Sequence, residues 1–234
     1  MSRSTPLVMS TVSCRSLLIA GSISALGLSE MSQCDTDEPL ANGPAFGGPY
    51  REFVTVQIDT DTGIHGAGIT FFGAALTASL KHAVEQLGAL TIGEDPLRID
   101  ALTHKLCTAA ASAGPGGILT LAISAIDMAL WDIKGKYFGQ SLGAMLGGLR
   151  ERVPTYASGA LVRAYAPDHL VKAAQRLVET GFRQMKTQLA LPGDTSPEKE
   201  VECARLMRAA VGPEIDLMCD INQRWATHQA MDIG

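Results

Sequence analysis

Strand-like and helix-like segments alternate over the last third of the chain, with connections of only a few residues. The predicted strands cover residues 155–158, 184–190 and 216–222, and the predicted helices cover residues 167–180, 196–211 and 226–231. Parallel neighbouring strands need a crossover connection, and such crossovers are right-handed. This order therefore predicts parallel strands covered by helices, as in a β/α barrel.

The length of this region limits how much of a barrel it can form. A closed eight-stranded β/α barrel needs about 200 residues or more. Only 82 residues run from Val153 to Gly234, and the last predicted helix has no capping residue or polar tail at its end. The sequence therefore predicts an incomplete (β/α) barrel of about three βα units over residues 151–234.

The order of elements is different before residue 150, where a β-hairpin precedes several helices. Residues 53–59 and 64–72 alternate apolar and polar side chains around the turn residues 60–63, which is typical of a hairpin. Helical spacing follows in residues 74–90, 96–107 and 119–137, and a short turn in residues 142–146. This order predicts an α+β domain over residues 1–150, within which residues 1–50 are poorly defined.

An apolar run near the N-terminus has two interpretations. Residues 16–28 follow Arg3 and Arg15 and have the outline of a signal peptide. The run is too rich in Ser and Gly, and too short, to span a bilayer, which needs about 20 apolar residues. No A-x-A cleavage site follows it. A buried strand or helix is the favoured interpretation, and the Gly- and Pro-rich residues 41–50 are expected to form a loop.

Charge and cysteine content exclude several classes of partner. The chain has 24 acidic and 19 basic residues, a net charge of −5 and no Lys/Arg block that could neutralise a run of phosphates. Neither nucleic acid nor a membrane is therefore an expected partner. The five cysteines form no CxxC pair, so neither a disulfide framework nor a zinc site is predicted. A reducing, cytoplasmic location is the simplest expectation.

The long predicted helix and the segment after it carry a specific family pattern. The motifs are Ala125-Ile-Asp127, Ala129-Leu-Trp-Asp132, Lys134-Gly-Lys136 and Leu146-Gly-Gly148. This stretch resembles the helix that closes the N-terminal capping domain of mandelate racemase and muconate lactonizing enzyme relatives in the enolase superfamily. Two further motifs are similar to that family, Thr62-Gly-Ile-His-Gly-Ala-Gly68 and Val153-Pro-Thr-Tyr-Ala-Ser158. The resemblance implies an α+β capping domain followed by a barrel.

The two carboxylates of the long helix have a structural interpretation. Asp127 and Asp132 are five positions apart, which is about 140° around a helix of 3.6 residues per turn. They therefore cannot share one proton or one metal ion. Asp132 and Lys136 are four positions apart and are expected to form a surface ion pair.

The second barrel strand ends in two candidate catalytic positions, Lys186 and Gln188. Residues two apart on a strand point to the same side, and β/α barrels place their sites at these strand ends. The resembling family has Lys-x-Lys here, in which the second lysine is an acid/base on the carbon next to the substrate carboxylate. Gln188 stands at that position and cannot shuttle a proton at neutral pH. Lys186 could bind a substrate carboxylate or the developing enolate as a cation. Alternatively, it is a strand-end lysine that only extends into solvent.

The third strand ends in Asp220 and Asn222, again on one face. In the resembling family this aspartate is the first of three carboxylate ligands to Mg²⁺, and the residue two positions further assists near the metal. The resemblance thus implies Asp220 as a metal ligand and Asn222 as a substrate-binding residue. One carboxylate holds Mg²⁺ weakly, and the other ligands are expected on later strands than these. Asp220 could instead be an N-cap or loop residue, and Trp225 fits both a pocket wall and a buried position.

The resemblance implies a Mg²⁺-dependent enzyme that removes a proton next to a carboxylate, while the metal and a cation neutralise the developing charge. With Gln188 in place of a lysine, the base would come from beyond residue 234, with a histidine as the first candidate. A single base suits dehydration better than racemisation. The first hypothesis is therefore an acid-sugar dehydratase with a small carboxylate or acid-sugar substrate, assembled as a homo-oligomer like many family members. The alternative is a catalytically inactive, truncated fragment with a structural or binding role only.

Overall fold

The chain folds into two compact units. The computed structural model describes residues 7–20, 50–71, 76–191 and 196–234, with side chains for all of these except residues 16–20 and 50–52. One unit comprises the described residues up to Ala20 and from Tyr50 to Glu151, and the other runs from Arg152 to Gly234. Each unit has its own hydrophobic core. Within the described ranges, no helix combines the length and apolar composition that crossing a membrane requires.

The first unit contains a three-stranded antiparallel sheet in the order β1-β2-β3. The strands are β1 (Met9–Ala20), β2 (Tyr50–Thr60) and β3 (His65–Thr70). β2 and β3 form the predicted hairpin, in which Val54 lies opposite Thr70 and Asp59 lies opposite His65. The hairpin prediction is therefore confirmed.

Strand β1 departs from the expectations for the N-terminal region. Small polar residues such as Ser10 and Ser13 interrupt its apolar pattern, so its sequence does not show the regular alternation of a strand. The strand is instead defined by its antiparallel pairing with β2. Residues 16–20 of the apolar run belong to β1, which confirms the strand interpretation as far as Ala20. Residues 21–28 and the predicted loop at 41–49 lie outside the described residues. Tyr50 begins β2, so the loop prediction is wrong at that residue.

The predicted helices of the first unit are all present. They are α1 (Thr77–Ala89), α2 (Ile99–Ala109), α3 (Gly117–Phe138) and the short α4 (Leu142–Met145). α3 ends at Gly139, which adopts a left-handed φ of 62° and so terminates the helix. The residues that α3 buries are Ala122, Ala125, Ile126, Ala129, Leu130, Ile133 and Gly135.

Two glycines allow β3 to pack against the backbone of α3. A Cβ atom at Gly66 would overlap the carbonyl oxygen of Ala129, and one at Gly68 would overlap the carbonyl oxygen of Ala125. Both alanines are fully buried. The small residues on both elements therefore permit an approach that any larger side chain would prevent.

A lysine and an aspartate on the same face of α3 complete the hydrogen bonding of β3, which is an edge strand. Asp132 Oδ2 accepts a hydrogen bond from Ala67 N at 2.9 Å and another from Lys136 Nζ at 2.8 Å. Lys136 Nζ also donates to the carbonyl oxygen of His65 at 2.8 Å. The predicted ion pair is confirmed, and it satisfies a backbone donor and a backbone acceptor at the sheet edge.

The second unit is built around two parallel strands, β4 (Gln184–Gln188) and β5 (Asp216–Asp220). The predicted strand at 155–158 contributes one parallel bridge, Ala157 opposite Met185. Ala157 N donates to Gln184 O at 3.0 Å, and Ala157 O accepts from Lys186 N at 2.9 Å. The strand prediction there is therefore confirmed for this single residue pair.

Three helices accompany these strands, α5 (Pro167–Glu179), α6 (Pro197–Val211) and α7 (Thr227–Ile233). α6 begins after Ser196, whose side chain accepts a hydrogen bond from Lys199 N. α5 buries the face that its sequence predicts, namely Leu170, Ala173, Ala174 and Leu177. An α+β unit followed by the first part of a β/α barrel confirms the predicted fold class.

We expect Asp132→Ala to lower the free energy of unfolding by about 0.5–1.5 kcal/mol, because it removes a surface ion-pair partner and the acceptor of the Ala67 N–H. Chemical denaturation followed by circular dichroism measures the change. Asp127→Ala on the same helix is the matched control. Burial, and then the charge of Asp100, raise the pKa of Asp127, so its removal should not destabilise the unit. An equal loss in both variants would contradict the role assigned to Asp132.

The contribution of Asp132 should also depend on pH. Burial raises the pKa of Asp132, but the hydrogen bonds from Lys136 and Ala67 outweigh burial and hold the pKa below its ordinary value of 3.8. A group with a lowered folded-state pKa stabilises the fold above its unfolded pKa and loses this effect as the pH falls. The stability difference between wild type and Asp132→Asn should therefore shrink below about pH 4.

Gly66→Ala and Gly68→Ala are each expected to lower the free energy of unfolding by about 3 kcal/mol, because the overlapping atom is a helix carbonyl that cannot move aside. Thermal and chemical denaturation test this expectation. Gly143→Ala is the matched control, since the nearest atom outside the backbone of its own helix, Ser141 Oγ, would lie 3.9 Å from the added Cβ. Unchanged stability of the Gly66 and Gly68 variants would show that α3 can move away from β3.

Candidate functional site

The ends of β4 and β5 bring together all four residues that the sequence singles out. Gln188 lies opposite Asp220 in the parallel register, and Lys186 lies two residues before Gln188 on the same face. Met185 and Thr187 are buried on the other face of β4, whereas the two candidate side chains are half-buried. Asn222 follows β5 at the same edge. We call Lys186, Gln188, Asp220 and Asn222 the strand-end site.

An ion pair is the electrostatic centre of the strand-end site. Lys186 Nζ lies 3.0 Å from Asp220 Oδ2, and these side chains are 26% and 27% exposed. Asp220 Oδ1 accepts a hydrogen bond from Asn222 N at 2.9 Å. This backbone bond, followed by the bond from Lys186, holds the pKa of Asp220 below its ordinary range. The bond to Asp220 raises the pKa of Lys186, so the lysine is a cation at neutral pH and not a free base.

An aromatic ring borders Lys186 on its other side. Tyr156, next to the bridge residue Ala157, has its ring centre 5.4 Å from Lys186 Nζ. A cation at this distance is attracted to an aromatic ring. The ring and the carboxylate together therefore favour the protonated form of Lys186. Sequence reasoning missed Tyr156, although its position on the first strand segment is a signal for a residue at this face.

A buried arginine connects the members of the strand-end site. Arg163 is only 4% exposed and lies between the first strand segment and α5. Its Nη2 donates to Asn222 Oδ1 at 2.5 Å and to the carbonyl oxygen of Asp220 at 3.1 Å, and its backbone N donates to Gln188 Oε1 at 3.4 Å. Burial, and then Arg224, lower the pKa of Arg163, but a guanidinium remains charged. Sequence reasoning missed this residue, because a loop has no periodicity.

A buried glutamate fixes the backbone just after β4. Glu200 on α6 is fully buried, and its carboxylate oxygens accept hydrogen bonds from Ala190 N at 2.9 Å and Leu191 N at 2.8 Å. Ala190 has a φ of 63°, which is strained for a residue with a side chain. Glu200 thus holds a strained turn next to Gln188. A charged residue on the apolar face of a predicted helix is the sequence signal that could have identified it.

The strand-end site offers few ligands for a metal ion. Asp220 has the oxygen chemistry that Mg²⁺ prefers, but its Oδ2 is paired with Lys186. The described ranges contain no group of three or more His, Cys, Asp or Glu side chains arranged to hold a metal. Mg²⁺ needs about six oxygen donors in an octahedron. The described residues therefore do not by themselves fit a complete Mg²⁺ site.

Family comparisons match both units of the chain. The N-terminal domain of mandelate racemase and muconate lactonizing enzyme matches residues 49–147, and the enolase C-terminal domain-like family matches residues 169–234. The two matches together cover more than half of the chain. The chain belongs to the mandelate racemase and muconate lactonizing enzyme family of the enolase superfamily. The resemblance inferred from the sequence motifs is therefore confirmed.

Two sequence relatives in this family have names that refer to acid sugars or their lactones. D-galactarolactone cycloisomerase from Agrobacterium fabrum is 32% identical over 188 residues, 79% of this chain and 48% of that protein. L-talarate/galactarate dehydratase from Salmonella typhimurium is 30% identical over 181 residues, 77% of this chain and 45% of that protein. The chain thus spans about half the length of the curated relatives it matches.

Two crystal structures of relatives have the same fold. The Salmonella typhimurium dehydratase, liganded with Mg and L-lyxarohydroxamate, aligns with a TM-score of 0.80 and 24% identity over 100% of this chain and 57% of that one. L-talarate dehydratase from Polaromonas sp. JS666, complexed with Mg and L-glucarate, aligns with a TM-score of 0.71 and 31% identity over 79% of this chain and 51% of that one.

Trp225 lies away from the strand-end site. It is partly buried against the core of the second unit and lines an apolar depression of about 630 Å³ together with Leu217 and Ile233. On β5, Asp216 and Asp220 point to one face, whereas Leu217 points to the opposite face, which the helices cover. Both interpretations of Trp225 are therefore partly correct, but the depression is on the opposite side of β5 from Asp220.

We expect Glu200→Gln to lower the free energy of unfolding by about 1–3 kcal/mol, because an amide can accept from only one of the two backbone N–H groups and leaves the other unsatisfied. Glu202→Gln is the matched control, since Glu202 is exposed on the same helix. Chemical denaturation of both variants measures the difference. Equal stability of the two variants would mean that Glu200 does not hold the turn after β4.

Proposed function

We propose that the strand-end site is part of the substrate site of a Mg²⁺-dependent acid-sugar dehydratase. The ion pair between Lys186 and Asp220 at the ends of parallel strands is the observation that carries this proposal. Strand ends are where β/α barrels place reacting groups. The names of the sequence relatives, a galactarate dehydratase and a galactarolactone cycloisomerase, support an acid-sugar substrate.

The proposed reaction removes a proton from the hydroxyl-bearing carbon next to a carboxylate and expels the hydroxyl of the following carbon, which takes up a proton and leaves as water. The electrons of the C–H bond form a C=C bond as the C–O bond breaks, and the resulting enol becomes a 2-keto acid. Lys186 keeps its proton, so its role is to bind the carboxylate and oppose the charge of the enolate. Gln188 cannot remove a proton. The base is therefore a residue other than these two.

Asp220 is the proposed Mg²⁺ ligand at this site. When bound, the metal would help to neutralise negative charge on the substrate carboxylate as the proton leaves. L-talarate dehydratase from Polaromonas sp. JS666, which was crystallised in complex with Mg, supports a magnesium ion at this site. Because the described residues supply one carboxylate, tight binding requires ligands in addition to Asp220. In the described structure, the charge of Asp220 is neutralised by Lys186.

A second candidate function is binding without catalysis. Gln188 occupies the position where the family pattern has an acid/base lysine, and the described residues do not complete a metal site. Such a chain would still offer a cation and hydrogen-bond donors to an acid sugar. The two candidates make the same prediction for binding and opposite predictions for turnover.

Titration of galactarate into the purified chain with Mg²⁺ present tests both candidates. We expect saturable binding that weakens at least about tenfold in Lys186→Met and in Asp220→Ala, since each removes an interaction with a charged group. Lys172→Met, which removes an exposed lysine from α5, is the matched control and should bind as wild type. The 2-keto product is measured as its semicarbazone by absorbance.

The outcomes separate the two candidates. Binding together with a 2-keto product that Asp220→Ala abolishes supports the dehydratase. Binding without product supports a binding role only. No binding by the wild-type chain, or equal weakening by Lys172→Met, contradicts the assignment of this edge as an acid-sugar site.

A further inference from the structure

Arg163 contacts three of the four members of the strand-end site, yet neutral oxygens are its hydrogen-bond partners. Its guanidinium donates to the side chain of Asn222 and to the main-chain carbonyl of Asp220, and its backbone N donates to the side chain of Gln188. Its Nε has no hydrogen-bond partner among the described residues. Burying a charged group without an opposite charge in contact is costly, and such groups concentrate at functional sites.

The contacts of Arg163 determine how the two carboxamides are oriented. A guanidinium and a backbone N–H can donate hydrogen bonds but cannot accept them. The oxygen of Asn222 and the oxygen of Gln188 must therefore be the atoms that face Arg163. In the described part of the chain, neither NH₂ group donates a hydrogen bond to another residue. Each amide consequently has an NH₂ group that is free to donate.

We propose that Arg163 is a positioning residue that orients the amides of Gln188 and Asn222 as hydrogen-bond donors to the oxygens of a bound carboxylate ligand. This inference rests on the proposed function of the strand-end site. With Lys186, the two NH₂ groups form a set of three donors at the ends of β4 and β5. Such a set suits an oxygen-rich anion, because carboxylate and hydroxyl oxygens accept hydrogen bonds.

A purely structural role for Arg163 would need fewer hydrogen bonds than this residue makes. The bond to the carbonyl of Asp220 alone would tie the loop to β5. The bond to Asn222 Oδ1 is the shortest of the three contacts, at 2.5 Å, and joins residues 59 positions apart. Arg208 provides the comparison within the same unit. Its Nη1 binds the carbonyls of Gly212 and Ile215 at 2.7 Å each and reaches no member of the strand-end site.

Asn222→Asp distinguishes a donor from an acceptor at this position. The variant keeps an oxygen for Arg163 but replaces the NH₂ group with a second acceptor oxygen and adds a negative charge. We expect the melting temperature to be maintained, while the affinity for galactarate in the presence of Mg²⁺ falls at least about tenfold, which is the value of one hydrogen bond to a charged group. Unchanged or tighter binding would overturn the proposal, because Asn222 would then act through its oxygen.

Arg163→Met tests the positioning itself. We expect a loss of galactarate affinity of about tenfold or more, and in this background Asn222→Asp should cost less than about threefold further, because the amide is no longer oriented. Arg208→Met removes two comparable bonds and should lower stability with an affinity within about twofold of wild type. Fully additive effects of the first two substitutions, or an equal affinity loss in Arg208→Met, would overturn the proposal.

The same titrations separate this inference from the function on which it rests. If wild type binds galactarate and Lys186→Met weakens binding, whereas Arg163→Met does not, the site is retained and the role of Arg163 is wrong. If the wild-type chain does not bind galactarate at all, the proposed function fails and the inference fails with it. A crystal structure of Arg163→Met in which the Asn222 amide keeps its orientation would also overturn the positioning role, whereas Gln188 should keep its bond to the backbone N of residue 163.

Discussion

The parallel register of β4 and β5 is the constraint on which the strand-end site depends. Pairing of Gln188 with Asp220 ends both strands at one edge, and the side-chain period of two then directs Lys186 to the same face. A shift of β4 by one residue would turn Met185 and Thr187, now buried, towards that face. Core packing therefore determines the chemistry of the edge, because the buried residues hold the register that brings a cation within 3.0 Å of a carboxylate.

Two lysine–aspartate pairs with nearly equal geometry have different consequences in this chain. Lys136 and Asp132 lie 2.8 Å apart, and Lys186 and Asp220 lie 3.0 Å apart. The first pair completes backbone hydrogen bonds of an edge strand, so its partners are already satisfied within the fold. The second pair lies where parallel strands end, next to amides with free donors. Location at strand ends, rather than the ion pair itself, is what supports a functional interpretation.

The sequence predicted the helices more fully than the strands. It identified the four residues of the strand-end site but not Arg163 and Glu200, which hold them and the adjacent turn in place. Helix α5 buries the residues that its periodicity indicates, whereas β1 depends on pairing with a distant strand. Glu200 could have been found, because it shares its buried face with the apolar residues Cys203 and Met207. Arg163 could not, since a loop residue acquires its partners only when β4 and β5 are in place.

By itself, the sequence determined the order of elements, the family and the four residues of the strand-end site, because periodicity, turn chemistry and motif spacing are local properties of the chain. Only the tertiary structure decided which of these residues touch. Asp220 pairs with Lys186 rather than remaining free, and Asn222 presents its oxygen to Arg163 from 59 positions along the chain. The direction of an amide depends on its neighbours in space, and no local pattern encodes a contact between residues so far apart.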